Sequence, residues 1–447
     1  MDEIKRIERF PSGIVKLPPS KSLSHRALIS AALAAAGDIV LGSAGGNSAG
    51  GSTAAGEAAW DGGGTAGDGK ESLILNLGSS EDISATLDGI RALGADWQQT
   101  SQGLRVFPGI APSAVPVDCA ESGSTLRFLI PILALSGNER CLVGRGRLLQ
   151  RPMEAYEQLF AAAGATLQRT QHGISVKGPL RSGTYHLPGN ISSQFVSGLL
   201  FALPLLPGES EIRLSSPLES AGYVQLTLSA LAAFGVQIEQ PDAESYLIPG
   251  GQHYRPTQYT VEADYSQSAY FLGAAALGRP VRCLGLSLHS DQGDRAILRI
   301  LQEMGARISV ADGLISVQAE TLRAVEVDAR EIPDLVPPIA VLCSFCVGTS
   351  KIVNAGRLRF KESDRLHAMA SELARLGAKV VEKEDSLIIE GSERLRGGRA
   401  DAWGDHRIAM SMALAAIRCE RPVELSGWQS VRKSYPGFWE DFEVEAL

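Results

Sequence analysis

The stretch AILRILQEMGARISV, Ala296 to Val310, decides how the chain is read. Its apolar residues at 297, 298, 300, 301 and 304 follow the spacing of one helix face. Gly305 ends that run. A glycine fits the position just past a helix, where a positive φ is wanted and a side chain is strained. ARISV then alternates as a strand does. The same punctuation recurs along the chain. LGADW carries its glycine at 94, AGATL at 164, FGVQI at 235, MGARI at 305 and LGAKV at 377, in steps of 70, 71, 70 and 72 residues. Five glycines in step mark an internal repeat.

Upstream in each unit an apolar helix opens from small polar residues. The six entries are SKSLSHRAL, ESGSTLRFL, NISSQFVSG, DYSQSAYFL, IPDLVPPIAV and GDHRIAMSM. After the first of them, Ala27 to Ala36 is apolar on every side, and a helix of that kind is buried. The unit is therefore strand, buried helix, strand, amphipathic helix and two strands, in about six copies. The last copy stops at KSYPGFWEDFEVEAL without its final strands. The N-terminal IKRIERFPSGIVKLP reads as two strands with no helix before them. The simplest closure has both strands complete the sixth unit. Residues 1–19 plus 262–447 then form one discontinuous domain of three repeats, and residues 20–261 form the other. A stacked solenoid would need polar capping repeats, which the sequence lacks. Gly42 to Gly69 is Gly/Ala/Ser-rich without period and reads as a flexible loop interrupting the first unit.

With 447 residues, 44% hydrophobic and 21% charged, the composition is that of a globular enzyme of two or three domains. A net charge of −8 argues against a nucleic-acid partner, which wants a basic footprint. The charged start MDEIKRIERF is neither a signal nor a transit sequence, and no run reaches membrane-spanning length. The expectation is a cytoplasmic, monomeric protein. Six cysteines, mostly among apolar residues, fit reduced buried thiols. Cys343 and Cys346 form a C-x-x-C inside IAVLCSFCVG with no second pair, so packing is the better reading than a metal. The histidines show no zinc-like spacing, and no cofactor fingerprint, Walker loop or G-x-S-x-G occurs.

A helix N-terminus attracts anions. Here the mouths also carry cations: Lys21 and Arg26, Arg127, and Arg407. Nearby turns add Arg147, Lys361, Arg365 and Lys433, and the third mouth offers Ser192, Ser193 and Gln194. Any one cation could be solvated surface, Ser192 could be a plain N-cap, and Arg365 could pair with Glu362 or Asp364 on its own helix. At equivalent places in repeated units of an acidic protein, the set points to a pocket for a multiply anionic small ligand. Two carboxylates stand among these cations. Asp334 lies at the fifth mouth, where it could be an N-cap, and Glu362 lies between Lys361 and Arg365. Neighbouring cations keep both ionised, and an ionised carboxylate beside a bound hydroxyl is a candidate base.

LPPSKSLSHRALISAALA, ESGSTLRFLIPIL, GRGRLLQRPM, NISSQFVSGLLFALPLL, IPDLVPPIAVL, RLRFKESDRLHAMASEL, GDHRIAMSMALA and KSYPGFWEDF together resemble the 3-phosphoshikimate 1-carboxyvinyltransferase family of enolpyruvyltransferases. The resemblance implies an α/β fold of two domains, each three βαβαββ repeats. It implies transfer of the enolpyruvyl group of phosphoenolpyruvate to the 5-hydroxyl of shikimate 3-phosphate, with no metal or organic cofactor. Carried over by motif, Lys21, Ser22, Arg26, Ser192, Ser193, Gln194, Ser220, Tyr223, Asp334 and Lys361 would hold shikimate 3-phosphate. Lys21, Gly123, Arg147, Gln194, Arg365, Arg407 and Lys433 would hold phosphoenolpyruvate. Asp334 would be the base, and Glu362 with Lys21 the proton donor. The second mouth departs from the pattern: Glu121-Ser122-Gly123-Ser124 begins with an acid where the family usually has asparagine. UDP-N-acetylglucosamine enolpyruvyltransferase and a non-enzymatic repeat scaffold are the rival readings. The first expects a Lys-Asn where this chain has Lys21-Ser22 and a reactive loop cysteine; the second fits the six units but not the acidic charge.

Overall fold

The computed structural model describes residues 3–34, 71–111 and 113–443. The Gly/Ala-rich stretch 42–69 lies outside the described residues.

All five rhythm glycines take positive φ, from +74° at Gly164 to +107° at Gly377. Each follows a helix and precedes a strand, as that backbone conformation allows. The buried helices are Lys21–Leu33, Gly123–Leu133, Ser193–Ala202, Tyr265–Ala276, Val336–Cys343 and His406–Ala416. Five of their mouths are capped by the expected short polar side chains: Ser20, Ser122, Ser192, Asp264 and Asp405 accept from Leu23, Thr125, Gln194, Gln267 and Arg407 backbone N–H groups. The buried helices are apolar all round because sheets and sister helices surround them.

Five four-stranded sheets and one three-stranded sheet cover these helices. In each four-stranded sheet one pair is parallel and the rest antiparallel, as strand–helix–strand followed by a hairpin requires. Two apolar cores result. One runs from Leu23 to Val261; the other gathers Ile7, Val15, Leu17 and the residues from Ala263 to Phe442. The chain thus forms two domains of three units each.

The N-terminal strands divide their pairing, contrary to the expectation from sequence. Lys5–Ile7 does complete the sixth unit, antiparallel to Val423–Ser426. Gly13–Lys16 instead opens the fourth unit, parallel to Val281–Leu284. The strand missing from the first unit is Gln258–Thr260, parallel to Ser72–Leu75. The chain therefore crosses between domains twice, around Pro18–Ser20 and Glu262–Asp264. These crossings bond to each other: Ser20 N–H donates to Glu262 O at 2.7 Å and Asp264 N–H to Pro18 O at 2.9 Å.

Cys343 and Cys346 sit in the second core, and burial pushes their thiols up to about 12 and about 11.

Candidate active site

A cavity of about 540 Å³ lies where the helix mouths of both domains converge. Lys21, Ser22 and Arg26 reach it from the first mouth, Gly123 from the second, and Ser192, Ser193 and Gln194 from the third. Ser220 and Tyr223 line it too. Asp334, Lys361, Glu362, Arg365 and Arg407 face them from the other domain. Lys433 stands just behind, its Nζ 3.7 Å from Glu362 Oε1.

Arg147 is the exception. It caps a short 3₁₀ turn, Leu148–Gln150, and is exposed, away from the cavity. That turn carries the chain inward, so Arg151 is the arginine of GRGRLLQRP that enters the site. It is 8% exposed, with Nη2 3.4 Å from Glu362 Oε1. Arg151 and Arg127 crowd Gly123: a Cβ there would stand 2.9 Å from a guanidinium nitrogen of each. A side chain at 123 would displace one of these cations, so glycine keeps the second mouth open.

Asp334 does not cap its helix. It lies in the 3₁₀ turn Pro333–Leu335, which swings its carboxylate into the cavity. Arg365 Nη1 donates to Oδ1 at 2.8 Å and Arg407 Nη2 to Oδ2 at 2.9 Å; Lys361 Nζ lies 4.0 Å from Oδ1. Burial alone would raise this carboxyl, but Arg407, Lys361 and Arg365 outweigh it and hold it well below the ordinary range. Glu362 is held down in the same way against burial, by Arg365, Arg151 and Lys433.

Arg365 ties these two acids together. Its Nη1 serves Asp334, its Nη2 donates to Glu362 Oε2 at 2.8 Å, and its Nε donates to Asp405 Oδ2 at 2.8 Å. The side chain is 2% exposed. Three carboxylates around one planar fork fix its position and theirs.

The other cations divide into two classes. Lys21 Nζ donates to Asp82 at 2.6 Å, and Arg357 Nε pairs with Glu219 at 2.8 Å. Lys433 Nζ donates to Glu121 at 3.1 Å, so the unusual acid of the second mouth is bound to a cation of the other domain. Arg26 and Arg127 donate to neutral oxygens instead. Arg26 serves Thr227 Oγ1 and the carbonyls of Ser22 and Tyr223, and Arg127 serves Gln194 Oε1 and Pro152 O. Burial lowers both guanidinium pKa values, to about 10 and about 9, still high enough to keep their charge at neutral pH. Two buried cations on neutral acceptors leave positive potential in the cavity, which is what an anionic ligand meets.

Arg151, Arg357 and His406 also line the site, and the sequence had not singled them out. Arg357 Nη2 donates to Ser220 Oγ at 2.6 Å. His406 is 1% exposed; burial, then Lys21 and Arg407, push its pKa well below the ordinary value and keep it neutral. Arg151 and Arg357 each sit among other arginines of the same turn, so residue type alone did not distinguish them.

The family model for EPSP synthase (3-phosphoshikimate 1-carboxyvinyltransferase) matches residues 65–442. The chain is 42% identical to the 3-phosphoshikimate 1-carboxyvinyltransferase of Clostridium kluyveri over 435 residues, covering 96% of this chain and 94% of the relative. It is 41% identical to that of Clostridium novyi over 458 residues, covering 99% and 97%. Among solved structures, an EPSP synthase from Acinetobacter baumannii superposes with a TM-score of 0.73 at 24% identity, covering 97% of this chain and 96% of that one. The enolpyruvyl transferase NikO from Streptomyces tendae gives 0.74 at 18% identity, covering 98% and 96%. At these identities the structural likeness is one of fold. The extent of the family match and the identity to the clostridial proteins place this chain in the EPSP synthase family.

Proposed function

We propose that this cavity transfers the enolpyruvyl group of phosphoenolpyruvate to the 5-hydroxyl of shikimate 3-phosphate, releasing phosphate. The observation that carries the reading is the pair Asp334 and Glu362, two ionised carboxylates bracketed by one buried guanidinium in a cavity that also holds Arg26 and Arg127 on neutral acceptors. Addition needs a base on the attacking hydroxyl and a proton for the methylene carbon. Asp334 takes the hydroxyl proton while the oxygen attacks C2, and Glu362 with Lys21 delivers a proton to C3. The ketal then loses a C3 proton and phosphate, restoring the double bond.

Glu362 as it stands is held ionised and has no proton to give. Arg151 and Lys433 supply part of that hold, and they are also the cations an incoming phosphate or carboxylate would engage. As phosphoenolpyruvate draws them off, Glu362 gains proton affinity. Anion binding thereby arms the acid. Arg26, Ser192, Ser193, Ser220 and Arg357 would receive shikimate 3-phosphate. Arg127, Arg151, Arg407 and Lys433 would receive phosphoenolpyruvate. Tyr223 reads less well as a phosphate contact, because its hydroxyl already faces two carboxylates.

Phosphate release from phosphoenolpyruvate should require shikimate 3-phosphate and yield the vinyl ether. Release that instead required UDP-N-acetylglucosamine, or no release with either acceptor, would overturn the assignment.

The domain limits at 19/20 and 261/262 make the paired crossings a hinge. Ion pairs and hydrogen bonds already span the cleft between the halves, so added ligand should strengthen closure. The radius of gyration from solution scattering should fall on adding shikimate 3-phosphate, and less so in high salt. An unchanged curve at saturation would mean that the domains are already closed or rigid without ligand. Among the described residues no helix is long and apolar enough to cross a membrane. We take the enzyme to work as a cytoplasmic monomer, a reading that a dimer mass in sedimentation would overturn.

A further inference from the structure

Tyr223 lies between two carboxyls. Its Oη stands 3.2 Å from Asp294 Oδ2 and 3.2 Å from Asp334 Oδ2. A phenol has one proton to give. Asp334 has Arg365, Arg407 and Lys361 to support its charge. Asp294 has no cation at ion-pairing distance among the described residues; Arg407 acts on it only from farther off. Asp294 is 3% exposed, the Ser266 hydroxyl donates to its Oδ2, and its Oδ1 is buried with no hydrogen-bond partner among the described residues. Were it ionised, a bare carboxylate oxygen would sit in a dry site facing a second carboxylate across the phenol. One proton on Oδ2 removes the charge, leaves Oδ1 a neutral carbonyl oxygen, and lets the two 3.2 Å contacts run in one direction.

We propose that Asp294 is held protonated and is a positioning residue for Asp334: its Oδ2–H donates to Tyr223 Oη, and this turns the Tyr223 O–H onto Asp334 Oδ2. The inference rests on the reading of Asp334 as the base. Asp334 then keeps an oriented neutral donor while ligand anions compete for its cations. The groups facing Asp294 agree with a proton there. Asp334 and Asp264 are acidic neighbours that disfavour a second charge, Tyr223 is neutral, and Arg407, the cation that opposes them, hydrogen-bonds the Asp334 carboxylate and backbone carbonyl rather than Asp294. Burial and then Asp334 push the Asp294 carboxyl up to about 7, and burial raises the Tyr223 phenol well above its ordinary value.

The sign of the pH dependence follows. As pH rises through the raised value, wild type loses the donor and gains an anion beside Asp334, so kcat declines on the alkaline side. Asn at 294 donates at every pH. With the full-length enzyme, the kcat ratio of Asp294→Asn to wild type should rise about fivefold or more between pH 6 and 8.5. Asp294→Leu should lower kcat about tenfold at pH 6 while KM for phosphoenolpyruvate stays within about threefold. In a Tyr223→Phe background the difference between Asp and Asn at 294 should vanish. Stability gives a readout without turnover. A carboxyl protonated when folded and ionised when unfolded loses stability with rising pH. The wild-type thermal midpoint should therefore fall relative to Asp294→Asn between about pH 4 and 7 and level off above that. Parallel kcat profiles for wild type and Asp294→Asn, with Asp334→Asn inactive, would overturn this inference alone. An Asp334→Asn enzyme that still turned over would overturn the base assignment and the inference with it.

Discussion

Lys21→Met should lower kcat by about 10³-fold, or about 4 kcal/mol of barrier. Lys21 is the first residue beyond one of the two domain crossings. Its backbone N–H donates to Asp264 at 3.0 Å and its Nζ reaches the cavity wall beside Asp82. Methionine keeps the length and the apolar stem but removes the proton and charge that the proposed addition step would use. It also strands Asp82, which is 4% exposed and whose other oxygen already lacks a partner. A buried carboxylate that loses its cation destabilises the fold by about 1–3 kcal/mol, so Lys21→Met should also unfold at lower urea. Asp82→Asn added to Lys21→Met separates the two effects. The double variant should recover most of the lost stability and none of the lost turnover. A kcat above about a tenth of wild type in either variant would remove Lys21 from the chemistry.

What the sequence made legible is what local sterics determine. A helix that must stop and turn into a strand needs a residue free to take positive φ, so the glycine rhythm was visible, and Gly94, Gly164, Gly235, Gly305 and Gly377 all adopt it. An all-apolar helix must be surrounded, so the six buried helices were visible too. Pairing between distant strands is another matter. Nothing in GIVK distinguishes the edge of the fourth sheet from that of the sixth; the partner is chosen by how the two crossings pass each other. Asp334 shows the same limit at a single residue. An acid before an apolar helix reads as a cap, but Pro333 begins a 3₁₀ turn that turns the carboxylate toward Arg365 and Arg407. A local partner, Glu362 or Asp364, was the plain alternative for Arg365. It does pair with Glu362, which precedes the helix cap, but it pairs as closely with Asp334 and Asp405, from segments far along the chain. Asp294 carried no local signal at all, because its burial beside Tyr223 and Ser266 comes wholly from tertiary packing.

Arg151→Leu should reduce kcat/KM for phosphoenolpyruvate by about 10²–10³-fold, while Arg147→Leu should stay within about twofold of wild type. The two arginines lie one short 3₁₀ turn apart, and only Arg151 enters the cavity. There its guanidinium lies against Gly123 with that of Arg127, at the open N-terminus of a helix. Backbone N–H groups and two planar cations on one point make a site for a phosphate or carboxylate. Losing one of those cations costs a charge-assisted contact at a buried guanidinium, about 3–4 kcal/mol, and the reduction in kcat/KM is that loss expressed as a rate. Arg151 also helps to hold Glu362 below the ordinary carboxylate range. Removing it relaxes that hold, so Glu362 in the variant should protonate at higher pH than in wild type. Any ionisation of kcat/KM that reports the free Glu362 should move in the same direction. Arg151→Lys keeps the charge without the planar fork. It should restore the position of that ionisation more fully than it restores kcat/KM. Equal losses in Arg147→Leu and Arg151→Leu would mean that the turn between them rearranges in solution and that the exposed arginine does reach the ligand.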